Sequence, residues 1–109
     1  MKKIEVSRLS PIPKSNKIVA KRVYDAPQAE IMHLTIEVGE TVKKHTTPVD
    51  VVFYILRGKG TIEIGNEEET VTADNLVESP ANIPHALKNI GEEPFSILVI
   101  KIPNPNKRG

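Results

Sequence analysis

The sequence predicts an all-β fold, a small barrel or sandwich of many short strands. Apolar residues alternate with polar ones, as where Met32, Leu34 and Ile36 flank His33 and Thr35, and this period of two is typical of half-buried strands. Turn-forming segments such as "RGKG", "PAN" and "GEEP" divide the chain into short pieces. No sustained helical spacing of apolar residues with capping residues accompanies them, so we expect little or no helix.

Nine strands are predicted in one domain spanning 18–102. The 109-residue chain is long enough for one buried core and too short for two. Proline-containing polar segments lie on either side, and we interpret 1–17 as an extended N-terminal arm and 103–109 as a C-terminal tail. The predicted strands cover residues 18–24, 30–38, 41–45, 50–57, 60–65, 68–72, 75–79, 84–90 and 95–102.

Two of these strands are apolar on both faces. They contain "VVFYIL" at 51–56 and "FSILVI" at 95–100. A strand of this kind needs cover on its second face from another sheet or another subunit. For so short a chain we expect a homodimer, with Val52, Tyr54 and Leu56 facing the second sheet layer or the partner.

Composition excludes several classes of function. The chain has no cysteine, so disulfide and thiolate chemistry are absent, and any metal would be held by imidazole and oxygen ligands. The formal net charge is +1, and aromatic residues are few, which argues against nucleic-acid binding. We expect no membrane association, because neither a signal-peptide pattern nor a bilayer-length apolar run is present, and we expect a soluble cytoplasmic protein.

Any metal hypothesis must be built on three histidines, His33, His45 and His85. His33 lies on the strand face opposite Met32 and Leu34, so we expect it to be exposed or to face a dimer partner. His45 and His85 each stand where a turn passes into a strand. A barrel could bring two such strand starts together at its mouth.

Two segments, "GETVKKHTTPVDVVFYILRG" and "DNLVESPANIPHALKN", resemble the two signature motifs of the cupin superfamily. The resemblance implies a double-stranded β-helix, or jelly-roll barrel. The first motif, with glycine, two histidines, glutamate and glycine, falls on Gly39, His45, Thr47, Val51 and Gly58. The second, with glycine, proline, glycine, histidine and asparagine, falls on Asp74, Pro80, Asn82, His85 and Asn89.

In cupins, two histidines and a glutamate of the first motif and one histidine of the second usually hold a metal ion. Here Thr47 and Val51 stand at two of those four positions, so only His45 and His85 remain as metal candidates. Asp50 is one residue out of register with the missing glutamate and would reach inward only through a bulge. We therefore expect a degraded site and no cofactor; if one is bound, a divalent Zn, Fe, Mn or Ni ion is the candidate.

A pocket inside the barrel is the remaining prediction. Alternation predicts that eight residues line it: His45, Thr47, Val51, Phe53, Ile55, His85, Leu87 and Asn89. Three hypotheses follow. The first is a small-molecule-binding cupin without a working metal site, the second is a metal-dependent dioxygenase or isomerase using His45 and His85, and the third is a structural dimer with a filled cavity. Whether the protein is an enzyme is left open.

Overall fold

A computed structural model describes residues 1–13 and 15–107, and it confirms the all-β prediction. A short 3₁₀ helix at Val6–Arg8 precedes nine strands whose bounds agree with the predicted ones to within about two residues. The strands are β1 (Ile18–Ala26), β2 (Ala29–Ile36), β3 (Thr41–His45), β4 (Asp50–Arg57), β5 (Lys59–Ile64), β6 (Glu67–Thr72), β7 (Leu76–Ser79), β8 (His85–Asn89) and β9 (Phe95–Ile102).

The strands form two antiparallel sheets. The five-stranded sheet has the order β1-β2-β9-β4-β7, and the four-stranded sheet has the order β3-β8-β5-β6. Sequence neighbours such as β3 and β4 lie in different sheets, so the chain crosses repeatedly between the layers, as in a jelly roll. Side chains that alternate along each strand fill the space between the sheets with the core: Ala20, Leu34, Ile36, Val51, Phe53, Ile55, Ile62, Val71, Leu87, Phe95 and Ile97.

All four glycine positions of the two motifs adopt left-handed backbone conformations. Gly39 has φ +79° and Gly58 has φ +88°, and the residues at the second motif's glycine positions, Asp74 and Asn82, have φ values of 69° and 65°. Asparagine and aspartate tolerate this region better than other non-glycine residues. The substitutions therefore preserve the turns.

A bulge in β3 turns His45 inward. Thr41 and Val42 pair in register with Lys88 and Leu87 of β8, but the register shifts before His45, which pairs with His85. Without the shift, a period of two would place Val42 and His45 on opposite faces. With it, both side chains line the same cavity.

The segments outside 18–102 also contact the barrel. Ile12 of the arm forms a β-bridge with Ala20. In the tail, Asn104 is buried, and its side-chain amide donates to Asp25 Oδ1 at 2.7 Å and to the Ala26 carbonyl at 3.0 Å. Lys14 of the predicted arm and residues 108–109 of the predicted tail lie outside the described residues.

The outer face of the five-stranded sheet carries the residues that alternate with the core. His33 lies there, opposite Leu98 of β9, and is partly buried. Burial, followed by the positive charge of Lys21, lowers the pKa of His33. Within the part of the chain that the structure describes, no helix has the length and hydropathy to cross a bilayer.

Candidate functional site

A cavity of about 100 Å³ lies between the two sheets, and the exposed His45 is one of the residues that line it. Most of its wall is apolar, and polar groups converge at one side. Its lining residues are Ala20, Met32, Leu34, Val42, His45, Thr47, Val51, Phe53, His85, Leu87, Val99 and Lys101. Small ligand sites commonly combine apolar walls with a few polar groups in this way.

The two histidines contact each other directly. Nε2 of His45 lies 3.2 Å from Nε2 of His85, and the rings meet edge to face with their centroids 4.5 Å apart. The other nitrogen of His85, Nδ1, lies 2.8 Å from the hydroxyl of Ser79, and Nδ1 of His45 lies 2.9 Å from the Lys43 carbonyl. The ring of Phe53 packs against His85 at 5.2 Å, also edge to face.

These contacts assign the protons of a neutral pair. The Lys43 carbonyl can only accept, so Nδ1 of His45 carries the hydrogen and its Nε2 is an acceptor. Nε2–H of His85 then donates to His45, and the Ser79 hydroxyl donates to Nδ1 of His85. Each imidazole nitrogen is thereby satisfied within the chain.

The environment keeps His85 uncharged. His85 is 3% exposed, and burial is the largest cause of a pKa lowered from the ordinary value of 6.5 to about 4. Electrostatic interactions with the neighbouring His45 ring and with the Lys101 ammonium lower the pKa of His85 further. His85 is therefore a neutral hydrogen-bonding group at physiological pH.

The side chains at the motif positions do not provide the metal ligands that the two cupin motifs usually supply. Thr47 is buried with its hydroxyl 3.5 Å from Nε2 of His85, and Val51 offers no donor atom. Asp50 points away from the cavity, because its Oδ1 accepts a hydrogen bond from the Ala81 backbone N–H at 2.9 Å and stabilises the turn there. Among residues 1–13 and 15–107, no cluster of three histidines or carboxylates suitable for a metal ion is present.

The sequence reasoning missed three buried or half-buried polar residues in and next to the site. Ser79 is buried and bonded to His85. Lys101 lines the cavity, and its Nζ lies 3.5 Å from Oε1 of the buried Glu30. Period two could have found Lys101 and Glu30, since they share faces with Val99 and Met32 respectively.

Two residues predicted to line the pocket are placed elsewhere. Ile55 is fully buried in the core, and neither it nor Asn89 is among the cavity's lining residues. The side chain of Asn89 instead donates to the Ile36 and Glu93 carbonyls at 2.9 and 2.8 Å and accepts from the Gly91 N–H. Both face inward as predicted, but alternation gives the face of a strand and not the depth at which a side chain lies.

Two antiparallel sheets with strands exchanged between them, around a mainly apolar internal cavity, define a double-stranded β-helix protein. The family model described as a cupin domain matches residues 32–101, and the chain belongs to the cupin family. An uncharacterised protein of Methanocaldococcus jannaschii is 28% identical over 108 residues, which cover 93% of this chain and 86% of that relative.

Solved structures share the fold. A cupin family protein of M. jannaschii with a double-stranded β-helix fold superimposes with a TM-score of 0.78 at 20% identity, covering 97% of this chain and 94% of that one. A predicted oxalate decarboxylase of Thermotoga maritima superimposes with a TM-score of 0.85 at 17% identity, covering 93% of this chain and 98% of the other. At these identities the likeness concerns the fold alone.

Proposed function

We propose that this protein is a metal-independent cupin that binds a small molecule in its barrel. The observation that carries the proposal is the donor count at the motif positions: two imidazoles are present, but Thr47 and Val51 replace the other two ligands. An open metal site needs about three protein donors to hold a divalent ion tightly. The Lys101 ammonium on the same cavity wall also disfavours a second cation.

The hydrogen bonding of the site supports the same proposal. Within the described ranges 1–13 and 15–107, every buried side-chain nitrogen and oxygen has a hydrogen-bond partner. The chain through Ser79, His85 and His45 satisfies the imidazoles without any added group. The pocket is thus organised by its own side chains, as a preformed binding site requires.

One distance in the site favours the rival, a metal-dependent cupin enzyme working through His45 and His85. Their Nε2 atoms are 3.2 Å apart, close to the spacing of about 3.3 Å that two imidazoles adopt on a tetrahedral zinc ion. Metal binding would require His85 to give up its Nε2 hydrogen and Ser79 to become an acceptor. The two hypotheses therefore differ in metal content.

Metal content is the first prediction. We expect the purified untagged protein to hold well below one Zn, Fe, Mn or Ni ion per chain after dialysis against chelator, because two neutral donors leave most coordination positions to water. Elemental analysis and the thermal unfolding midpoint before and after dialysis would check this. About one ion per chain that survives dialysis in the wild type and is lost in His45→Ala would contradict the proposal and support the enzyme.

Occupancy of the cavity is the second prediction. We expect propionate, propionamide or 1-propanol to shift backbone amide NMR signals of the cavity walls saturably in metal-free protein. Val42→Phe should abolish those shifts, because Val42 lines a cavity of only about 100 Å³. Val38→Phe is the matched control, since Val38 is 51% exposed and is not among the lining residues. Equal shifts in both variants would place any binding outside the barrel, whereas no shifts with any probe would support the structural dimer with a filled cavity.

We also propose the homodimer that the sequence predicts, formed through the outer face of the five-stranded sheet. Apolar side chains from neighbouring strands adjoin one another there: Val52 and Ile100 pair across β4 and β9, as do Tyr54 and Leu98. At the edge of this face Leu76 is 57% exposed and Ile102 is 47% exposed. Contiguous apolar surface of this kind is typical of an interface between subunits.

Light scattering coupled to size exclusion would measure the assembly. We expect the wild type to elute with the mass of two chains and Leu98→Glu with the mass of one, because an unpaired charge would be buried at the centre of the interface. Ile83→Glu is the control, since Ile83 is 39% exposed and lies outside this sheet. A monomeric wild type would refute the dimer.

We retain the cytoplasmic location as a prediction, which fractionation of producing cells would test.

A further inference from the structure

A cluster of charged and polar residues lies at the start of β2 and the end of β9, and one of its members, Lys101, lines the cavity. Its members are Glu30, Arg22, Lys101 and Asn106. The Glu30 carboxylate is 2% exposed, and its Oε2 accepts from Arg22 Nε at 3.0 Å and from the Asn106 side-chain amide at 3.2 Å. These are short, well-formed contacts. Arg22 and Asn106 therefore both bind the same carboxylate oxygen, Oε2.

Lys101 is bound more loosely. Its Nζ is 3.5 Å from Oε1 of Glu30, longer than the roughly 2.7–2.9 Å of a charge-assisted hydrogen bond. An ammonium group has three donors, and this contact occupies at most one of them. Lys101 also lines the cavity, where its side chain is 27% exposed among mainly apolar neighbours.

The charges do not cancel inside the site. Glu30 is shared between Arg22 and Lys101, and the neighbouring Asp25 is paired with Lys107, so three cations face two carboxylates. The histidine pair adds no negative charge, and Asp50 points away from the cavity. A partly buried cation without a full counter-ion is unfavourable, and an anion placed beside it would be stabilised.

The cavity also limits the size of the anion. Its volume of about 100 Å³ corresponds to roughly three to five non-hydrogen atoms, given that a water molecule takes up about 30 Å³. The hydroxyl of Thr47 lies 3.5 Å from Nε2 of His85, too far for a strong bond, so its hydrogen is available to a ligand. Met32, Leu34 and Val99 supply an apolar wall beside these polar groups.

We propose that the barrel selects short-chain monocarboxylates, with the Lys101 ammonium as counter-ion and the Thr47 hydroxyl as a second donor to the carboxylate. The hydrocarbon part of the ligand packs against the apolar wall. This inference deepens the small-molecule function proposed above and rests on it. Lys101 is then the specificity-determining residue of the pocket.

Titration of metal-free protein with propionate, propionamide and 1-propanol, at constant ionic strength in a carboxylate-free buffer, tests the inference. We expect propionate to bind about tenfold or more tightly than its amide, because a hydrogen bond to a charged group is stronger than one between neutral groups. Lys101→Met should weaken propionate binding about tenfold or more and leave 1-propanol binding within about twofold. Dissociation constants come from the backbone amide shifts.

Two further variants separate charge from folding. Lys101→Arg keeps the positive charge and should retain most of the preference for propionate over propionamide. Lys88→Met removes an exposed lysine of β8 and should leave all three affinities unchanged. If Lys101→Met binds propionate as wild type does, or if the neutral probes bind as tightly as propionate, the carboxylate inference is wrong while small-molecule binding stands. If none of the three probes binds, both proposals fail.

Discussion

Gly60→Ala is expected to lower the free energy of unfolding by about 3 kcal/mol or more. Gly60 faces the core from β5, and a Cβ atom there would overlap Cε2 and Cζ of Phe95 and lie 2.6 Å from the Lys88 carbonyl oxygen. Phe95 is fully buried, so its ring has little room to move. The backbone oxygen is fixed by pairing between β5 and β8. Urea denaturation monitored by circular dichroism would measure the loss.

Gly39→Ala is the matched control. Gly39 has φ +79°, but among the described residues no atom beyond its two chain neighbours lies within 4 Å of a Cβ built there, so alanine should cost only about 1 kcal/mol, through backbone strain. In the double variant Gly60→Ala with Phe95→Leu, the loss should be smaller than the sum of the two single losses, because the smaller side chain removes part of the overlap. Equal losses for Gly60→Ala and Gly39→Ala would show that the Phe95 contact is not what limits this position.

Acidification is expected to destabilise the protein through His85. The pKa of His85 is about 4 in the folded chain against an ordinary value of 6.5. The unfolded chain therefore binds a proton that the folded chain resists, and stability falls as the pH decreases from 6.5 to 4. Allowing for partial solvent access at the cavity mouth, the loss attributable to His85 is about 2–3 kcal/mol, and it is complete below pH 4.

The contribution of His85 is isolated by comparing variants. The free energy of unfolding of the wild type should fall by about 2–3 kcal/mol more than that of His85→Gln between pH 7 and pH 4. His33→Gln is the control, because His33 lies on the outer face of the sheet, away from the cavity; it should keep most of the wild-type pH dependence. Parallel pH profiles for wild type and His85→Gln would contradict the assignment of a neutral, buried imidazole.

About half of the site was predicted from the resemblance to the cupin motifs together with strand alternation. The motif frame predicted that His45 and His85 lie together, and in the structure their Nε2 atoms are 3.2 Å apart. It also placed Asp74 and Asn82 where the backbone is left-handed. The sequence could not decide whether the Asp50 side chain points inward, since that depends on a bulge between His45 and the strand. The structure has its bulge in β3, before His45, and Asp50 points to the Ala81 backbone.

The sequence by itself determined the strands, the alternation of their faces and the loss of two metal-ligand positions, because these depend on residues close together along the chain. The tertiary structure decided which inward-facing residues meet. It brings Lys101 beside Glu30 across β9 and β2, and Ser79 to His85 between the sheets. In the folded chain the Asn89 side chain donates hydrogen bonds to the Ile36 and Glu93 carbonyls and does not line the cavity. Bulges and depth are decided by how the sheets pack, whereas a strand's own periodicity gives only the face on which each side chain lies.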